Sequence, residues 1–446
     1  MSRPGQNPVD RCNSAAGSHS ASLCARLASR LVACLVLFAL LLGLAGDVPP
    51  GAPSLDLLLS KITDGSRFEF ALWEAQALAA KLGETIERPE KRFTPTEQRD
   101  LVLAYIDAIG EISRLKDTIN GLHATLDEES AAAASAPYEA ELNDLRALQS
   151  GRVGAVQRIL QAQVTSVIAE QGLTTAGLVF PPLSFHFTES PDYLIVSPRD
   201  RIYVERGVYL RTGIDLAEIE AMERLVETTS GRSALVEGTG GFSSYPTMII
   251  ETPDLFWILS TIAHEWGHTY LFFRPLGWHY YDSGDMRTFN ETAVSILGDE
   301  IAELTIAKYY PEYAARRDWP RPHSLDPAWW DRTTKSETFE FGAFMRETRL
   351  QVDDYLAAGR VDDAEIYMEE RRQLLREKGY LIRRLNQAYF AFHGSYAVGT
   401  SATDPIGGKL RALRAERRDL ASFIQTIERM TSVAQLDQAL DFVGRP

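Results

Sequence analysis

The stretch from Thr252 to Phe273, TPDLFWILSTIAHEWGHTYLFF, carries His264, Glu265 and His268 in the spacing HExxH. On a helix, residues four apart stand one above the other on the same face, so His264 and His268 can aim two imidazoles at one metal ion. Glu265 is turned about 100° from His264 by helical geometry, which sets it beside that ion, not on it. The chemistry this spacing predicts is zinc-dependent hydrolysis, with Zn2+ as cofactor and Glu265 as general base for an attacking water. The helix itself is expected to be buried, because Leu255 to Ala263 and Tyr270 to Phe273 are almost wholly apolar. Thr252 is the expected N-cap and Pro253 the expected first helical residue. The competing reading is a pair of hydrogen-bonded core histidines with a structural glutamate, since such groups are costly to bury without partners.

A third metal ligand is needed. Glu291 follows His268 by 23 positions, room for a loop that turns the chain back, and it opens a second helical stretch, Phe289-Asn290-Glu291-Thr292-Ala293-Val294-Ser295. Glu300 and Glu303 compete with it, each also readable as part of a solvated acidic face. Over roughly residues 238–303 the sequence resembles the gluzincin metallopeptidases, the group that includes thermolysin and the membrane alanyl aminopeptidases. That resemblance implies His264, His268 and Glu291 as metal ligands and Glu265 as catalytic base. Two positions depart from the family pattern Asn-Glu-x-x-Ala: Ala293 falls one place early, and Ser295 stands where the thermolysin type has Asp. Asp299, two helical turns beyond Glu291, is a substitute partner for the ligands.

The elements that must position these residues are read from the rest of the 446-residue chain. Its 45% apolar and 24% charged content is that of a folded protein, and a net charge of −15 argues against a nucleic-acid partner. Residues 1–30 are polar and arginine-containing and are expected to be disordered. Residues 31–46, LVACLVLFALLLGLAG, form an uncharged apolar run of 16 residues. With Arg3, Arg11, Arg26 and Arg30 before it, this run predicts a transmembrane signal anchor with the catalytic part outside the cytoplasm. A signal peptide cleaved near Gly43-Leu44-Ala45, giving a secreted protein, is the alternative. The three cysteines, Cys12, Cys24 and Cys34, all fall in this leader, so neither a disulfide framework nor a Cys-based zinc site is expected beyond it.

Residues 54–172 read as a helical module. A stripe of Phe70, Leu72, Ala75, Leu78 and Leu82 marks one helix, and Thr94-Pro95-Thr96-Glu97 a capping box opening the next. A polar, alanine-rich break is expected from Glu128 to Pro137, followed by a long helix from Tyr138 to Glu170 that pairs with its predecessor as an antiparallel hairpin. That hairpin reads either as a partner-binding coiled coil or as a bundle packed on the catalytic part.

Residues 183–310 read as the metallopeptidase core. Period-two patterning predicts strands at Leu183–Phe187, Tyr193–Val196, Arg201–Leu210, Ser233–Val236 and Phe242–Glu251, with a helix at Leu216–Thr228. His186 is expected on a strand surface and not as a ligand. The glycine-rich run from Gly238 to Met248 is the expected edge strand, with Gly240 and Gly241 as substrate-binding positions for an extended peptide; a plain glycine hairpin is the alternative. In the loop from Arg274 to Thr288, His279, Tyr280 and Tyr281 are polar-tipped aromatics; Tyr281 is a further substrate-binding candidate and one of the two tyrosines a candidate oxyanion donor, with packing of the loop as the alternative.

Residues 311–446 read as a helical subdomain, with helices at Glu337–Ala357 and Asp362–Lys378 and a Pro/Trp loop at Pro320–Trp330. Within Tyr380–Ala397, Tyr389, His393 and Tyr396 are candidates; the gluzincin resemblance implies a His or Tyr from such a subdomain at the oxyanion site, and His393 and Tyr396 are taken as catalytic candidates. Arg411, Arg414, Arg417 and Arg418 read as a solvated basic face.

The fold expected is therefore α+β and mostly helical. The function expected is a membrane-anchored, extracytoplasmic zinc metallopeptidase acting on a peptide or protein substrate. A zinc hydrolase of a non-peptide bond, or a membrane-tethered interaction protein with a silent metal site, are the rival readings.

Overall fold

The computed structural model describes residues 54–316, 339, 341–393 and 405–443. The leader with its apolar run and three cysteines, the Pro320–Trp330 loop and Tyr396 lie outside the described residues. Among the described residues, no helix is long and apolar enough to cross a membrane.

Helices dominate, accompanied by two small sheets. The N-terminal part holds α1 (Ser54–Ile62), α2 (Phe70–Glu87), α3 (Pro95–Thr125) and α4 (Glu128–Glu170). The Thr94/Glu97 capping box is present, with Thr94 N–H donating to Glu97 at 2.8 Å and Pro95 in the first helical position. The expected break at Glu128–Pro137 is helical instead: Asp127 accepts from Ser130 N–H at 3.0 Å, and the alanines that follow are the strongest helix formers. The polarity of this stretch does not reverse the chain; only Leu126 and Asp127 turn the hairpin.

The two long helices run antiparallel. Ile112 and Leu115 meet Leu142 near the turn, and Val102, Tyr105, Ile106 and Ile109 share a core with Val156, Ile159, Leu160 and Val164. That core continues into the helices that carry His264, His268 and Glu291, so the hairpin is packed on that part of the chain.

Next come β1 (Phe185–Phe187), β2 (Asp192–Ser197), β3 (Arg206–Leu210), α5 (Leu216–Ser230), β4 (Ser233–Gly238), β5 (Gly241–Phe242) and β6 (Thr247–Ile249). One sheet has the order β3-β2-β4, all antiparallel; the other has the order β1-β6-β5, with β1 parallel and β5 antiparallel to β6. The expected long strand Phe242–Glu251 is thus two short ones, and β5 is an edge strand.

Beyond the sheets lie α6 (Leu255–Leu271), the short α7 (Pro275–Trp278), α8 (Gly284–Tyr309), α9 (Pro311–Arg316), α10 (Phe341–Ala357), α11 (Val361–Glu377), α12 (Gln387–His393), α13 (Pro405–Glu416), α14 (Leu420–Ile427) and α15 (Val433–Val443). Asp254, not Thr252, caps α6, accepting from Phe256 and Trp257 N–H at 3.0 and 3.2 Å. Thr252 instead accepts from Asp254 N–H, two residues too early to cap. α6 and α8 cross closely because glycines face across the contact. A Cβ on Gly298 would lie 2.7 Å from the Ser260 carbonyl oxygen, and one on Gly267 2.9 Å from Leu297 Cδ2. α10 to α12 cover the β3-β2-β4 sheet through Met345, Val352, Met368 and Phe390 against Ile195 and Leu235.

The C-terminal helices brace α8. Leu410, Leu413, Phe423, Ile424 and Leu436 join its core, and Arg414 forms two hydrogen bonds to Glu300 at 2.7 and 2.8 Å. Arg414 is therefore not on a solvated face: the two side chains are only 9% and 7% exposed. Replacing Arg414 by Met strands a buried Glu300 and should cost about 3–5 kcal/mol, whereas Arg414→Met with Glu300→Leu should recover most of it. Urea unfolding midpoints of the two variants check this; equal losses in both would show that the pairing is not what Arg414 contributes.

Burial first, with the nearby Lys81, pushes the His186 imidazole down to about 4, and its Nδ1 is buried without a hydrogen-bond partner among the described residues. An unfolded histidine titrates near 6.5. Between those values the unfolded chain takes up a proton that the folded chain refuses, so stability is full above about pH 6.5 and falls as pH drops towards 4. His186→Gln should shrink the loss in urea midpoint between pH 7 and pH 5; an unchanged loss would refute this.

Candidate metal centre

His264 and His268 project from one face of α6 with their Nε2 atoms 3.2 Å apart. From the first turns of α8, Glu291 Oε2 lies 3.5 Å from His264 Nε2 and 3.4 Å from His268 Nε2. The three ligand atoms all fall within 4.8 Å of one another, a group that could hold a metal ion. The competing carboxylate Glu300 is turned away to Arg414.

Hydrogen bonds fix which ring nitrogens face inward. Asn290 Nδ2 donates to the Leu276 carbonyl, which leaves its Oδ1 to accept from His268 Nδ1 at 3.0 Å. Ser295 donates its hydroxyl proton to the Glu291 carbonyl at 2.8 Å, leaving its oxygen to accept from His264 Nδ1 at 3.3 Å. Both imidazoles then carry the proton on Nδ1 and point an Nε2 lone pair at the shared centre. Tyr280 donates to Glu291 Oε1. Glu291 Oε2 is buried and accepts no hydrogen bond from the described residues. Three electron-rich atoms therefore converge where only a cation or a proton can separate them. Charge coupling agrees. Burial would raise the Glu291 carboxyl, but the imidazoles outweigh it and hold the group well below the carboxylate range. Burial would lower the His268 imidazole, but Glu291, with Glu265 and Asn290, brings it above its ordinary value.

Glu265 is 8% exposed, and its carboxyl is raised by burial, with Glu291 adding to the rise and the two imidazoles opposing it. The edge strand β5 lies against it. A Cβ on Gly241 would come within 2.9 Å of both Glu265 Oε1 and Thr261 Cγ2, and one on Gly240 within 2.6 Å of the Trp257 ring. Glycine at these positions lets the strand sit on α6. Ser243 holds the following loop there, donating to the Glu265 carbonyl at 3.2 Å.

A search of family models matched none, and no curated protein or solved structure matches the chain. The site stands on its own geometry.

The remaining candidates are more scattered. Tyr281 is 89% exposed, its ring 4.7 Å from that of Tyr280. His279 pairs with Asp282. His393, at the end of α12, contacts the rings of Tyr389 and Phe392 at 4.2 and 5.1 Å, and burial pushes its imidazole down to about 4. Those contacts lead to Tyr193 on β2, 6.1 Å from Phe392, and Tyr193 in turn accepts from Arg287, whose charge is coupled to Glu291. Asp299 accepts from Ser260 at 2.7 Å, while Asn290 and Ser295 hold the imidazoles. Arg287, one turn before Glu291, escaped sequence reasoning. Its guanidinium lies 5.4 Å from the Tyr280 ring, and its Nε is buried with no hydrogen-bond partner among the described residues.

Asn290→Ala removes the acceptor that fixes the His268 ring, so metal affinity should weaken by about 10–100-fold with the fold retained. Competition against a fluorescent zinc chelator, alongside far-UV circular dichroism, reads both; unchanged affinity would mean that His268 needs no such partner.

Proposed function

We propose that the chain is a zinc-dependent metallopeptidase of gluzincin type, anchored by its leader segment and working outside the cytoplasm. The observation that carries this reading is the convergence of His264 Nε2, His268 Nε2 and Glu291 Oε2 beside the buried Glu265. Their separations of 3.2, 3.4 and 3.5 Å fit a tetrahedral site. Ligands held at about 2.0–2.1 Å from zinc lie about 3.3–3.4 Å apart at the corners of a tetrahedron. Nitrogen and carboxylate donors of this kind suit zinc, and a protein-ligand count of three is that of its catalytic sites.

Zinc bound there would polarise the scissile carbonyl and make water acidic enough to attack near neutral pH. Glu265 takes the proton of the attacking water and passes it to the departing amine. Its buried position favours that exchange, because a raised carboxyl holds a proton more readily than an exposed one. The free edge of β5, lying on Glu265, offers backbone groups to an extended peptide by strand addition, with Gly240 and Gly241 as the positions nearest the helix. Tyr280 fixes the second oxygen of Glu291. His393, neutral at pH 7, is the described candidate for an oxyanion donor, and Tyr396 a further one.

Glu265→Gln should keep its zinc and lose at least about a hundredfold in turnover on a mixed peptide library. Glu291→Ala should lose most of its zinc, as measured by elemental analysis of the purified protein. Full peptidase activity in Glu265→Gln would remove the base assignment. Zinc bound as in the native chain by Glu291→Ala would remove the third ligand. Ester hydrolysis without peptide hydrolysis would move the substrate class.

A further inference from the structure

The helix α2 is inside out. It buries Glu74, Ala77 and Lys81, and it leaves Leu72, Ala75, Ala79, Leu82 and Ile86 exposed. Leu72 and Leu82 are each 60% exposed and Ile86 73%. The inward face is polar for a reason. Lys81 pairs with Glu84 at 2.7 Å, Glu84 accepts from Gln157 at 2.9 Å, and Trp73 donates to Thr188 at 3.3 Å. The outward residues recur at intervals of three and four, so they form one continuous apolar stripe about 21 Å long. Its C-terminal end runs into exposed Arg88, Lys91 and Arg92; of the two acidic residues there, Glu87 is exposed and the part-buried Glu90 faces Arg158.

We propose that this stripe is a membrane-surface docking face, lying in the headgroup region of an anionic bilayer. An apolar stripe flanked by cationic residues is the composition that binds such a surface, the apolar face entering the acyl boundary and the basic end pairing with lipid phosphates. The local basic end matters because the chain as a whole carries a charge of −15. Chain length keeps the start of α1 near that surface. The apolar run 31–46 ends eight residues before α1 begins, a linker that reaches at most about 27 Å. This inference rests on residues 31–46 being the membrane segment.

Docking has a consequence for the cleft. From the same helix, Phe70 packs against Phe242 of the edge strand with ring centroids 4.8 Å apart, and the Tyr245 N–H donates to Glu74. A bilayer under α2 therefore sets β5 close to the lipid surface, and the substrate class this selects is the juxtamembrane stretch of membrane-anchored polypeptides.

The test uses the full chain reconstituted in vesicles of phosphatidylcholine and phosphatidylserine. Single cysteines replace Leu72, Leu82 or Ile86, with Cys12, Cys24 and Cys34 changed to Ser, and each carries a nitroxide. Leu381, 85% exposed, serves as the control position. The expected result is a several-fold loss of collisions with a water-soluble nickel complex, and a gain with oxygen, at the three stripe positions but not at the control. Arg88→Glu, Lys91→Glu and Arg92→Glu together should restore nickel collisions at position 86. Nickel access equal to the control overturns the proposal, and labels shielded from both quenchers overturn it in favour of a second copy of the chain on the stripe. An unchanged profile in the charge-reversed chain overturns the anionic-headgroup assignment. Release of the chain by an alkaline carbonate wash overturns instead the reading of residues 31–46 on which the proposal stands.

Discussion

Three lone pairs directed at one buried point are the constraint around which this molecule is arranged. Two imidazole nitrogens and a carboxylate oxygen, all within 4.8 Å, hold together only with a positive charge among them, a proton on a ring or a cation at their centre. Nothing in the described surroundings relieves the Glu291 oxygen by hydrogen bonding. The neighbouring groups strengthen the demand: Asn290 and Ser295 take up the outer ring protons, and Tyr280 occupies only the other carboxylate oxygen. A buried arrangement of this kind is unfavourable by itself and becomes favourable with a cation, so a metal ion bound there would be coupled to local folding.

The rest of the fold serves to hold two helices at contact distance. Gly267 and Gly298 permit the approach, since a methyl group at either would strike the opposing helix. Both helices are then clamped from the C-terminal side. Arg414 grips α8 through Glu300, and Glu428 takes hydrogen bonds from Tyr270 and Arg274 at the end of α6. Such buried polar ties are poor sources of net stability, because desolvation offsets most of their attraction. What they give is a fixed geometry, which a metal site requires to within a few tenths of an ångström.

The convergence of His264 and His268 was the most legible part of the sequence, because HExxH on an apolar helix leaves little freedom: the helical period alone aligns the two rings. Glu291 was readable from its spacing and from the resemblance, but its preference over Glu300 needed the structure, where Arg414 claims the rival. Asn290 and Ser295 stood in view as departures from a pattern, and their work on the imidazoles appears only once α8 is laid across α6. Local capping was read well at Thr94 and missed by two residues at Asp254, since both Thr252 and Asp254 are good caps and the choice rests on where the incoming strand ends. The apolar spacing of α2 was legible, but the side it faces was not. Periodicity identifies a face, and only the neighbours decide which face is covered; here the Lys81–Glu84–Gln157 network takes the inner one.

The most direct measurement is anomalous scattering from crystals of the purified chain, with data collected above and below the zinc absorption edge. The account predicts a single strong difference peak enclosed by His264 Nε2, His268 Nε2 and Glu291 Oε2, present only above the edge. Crystals grown with zinc that show no peak at that point, or one bound only through other residues, would contradict it.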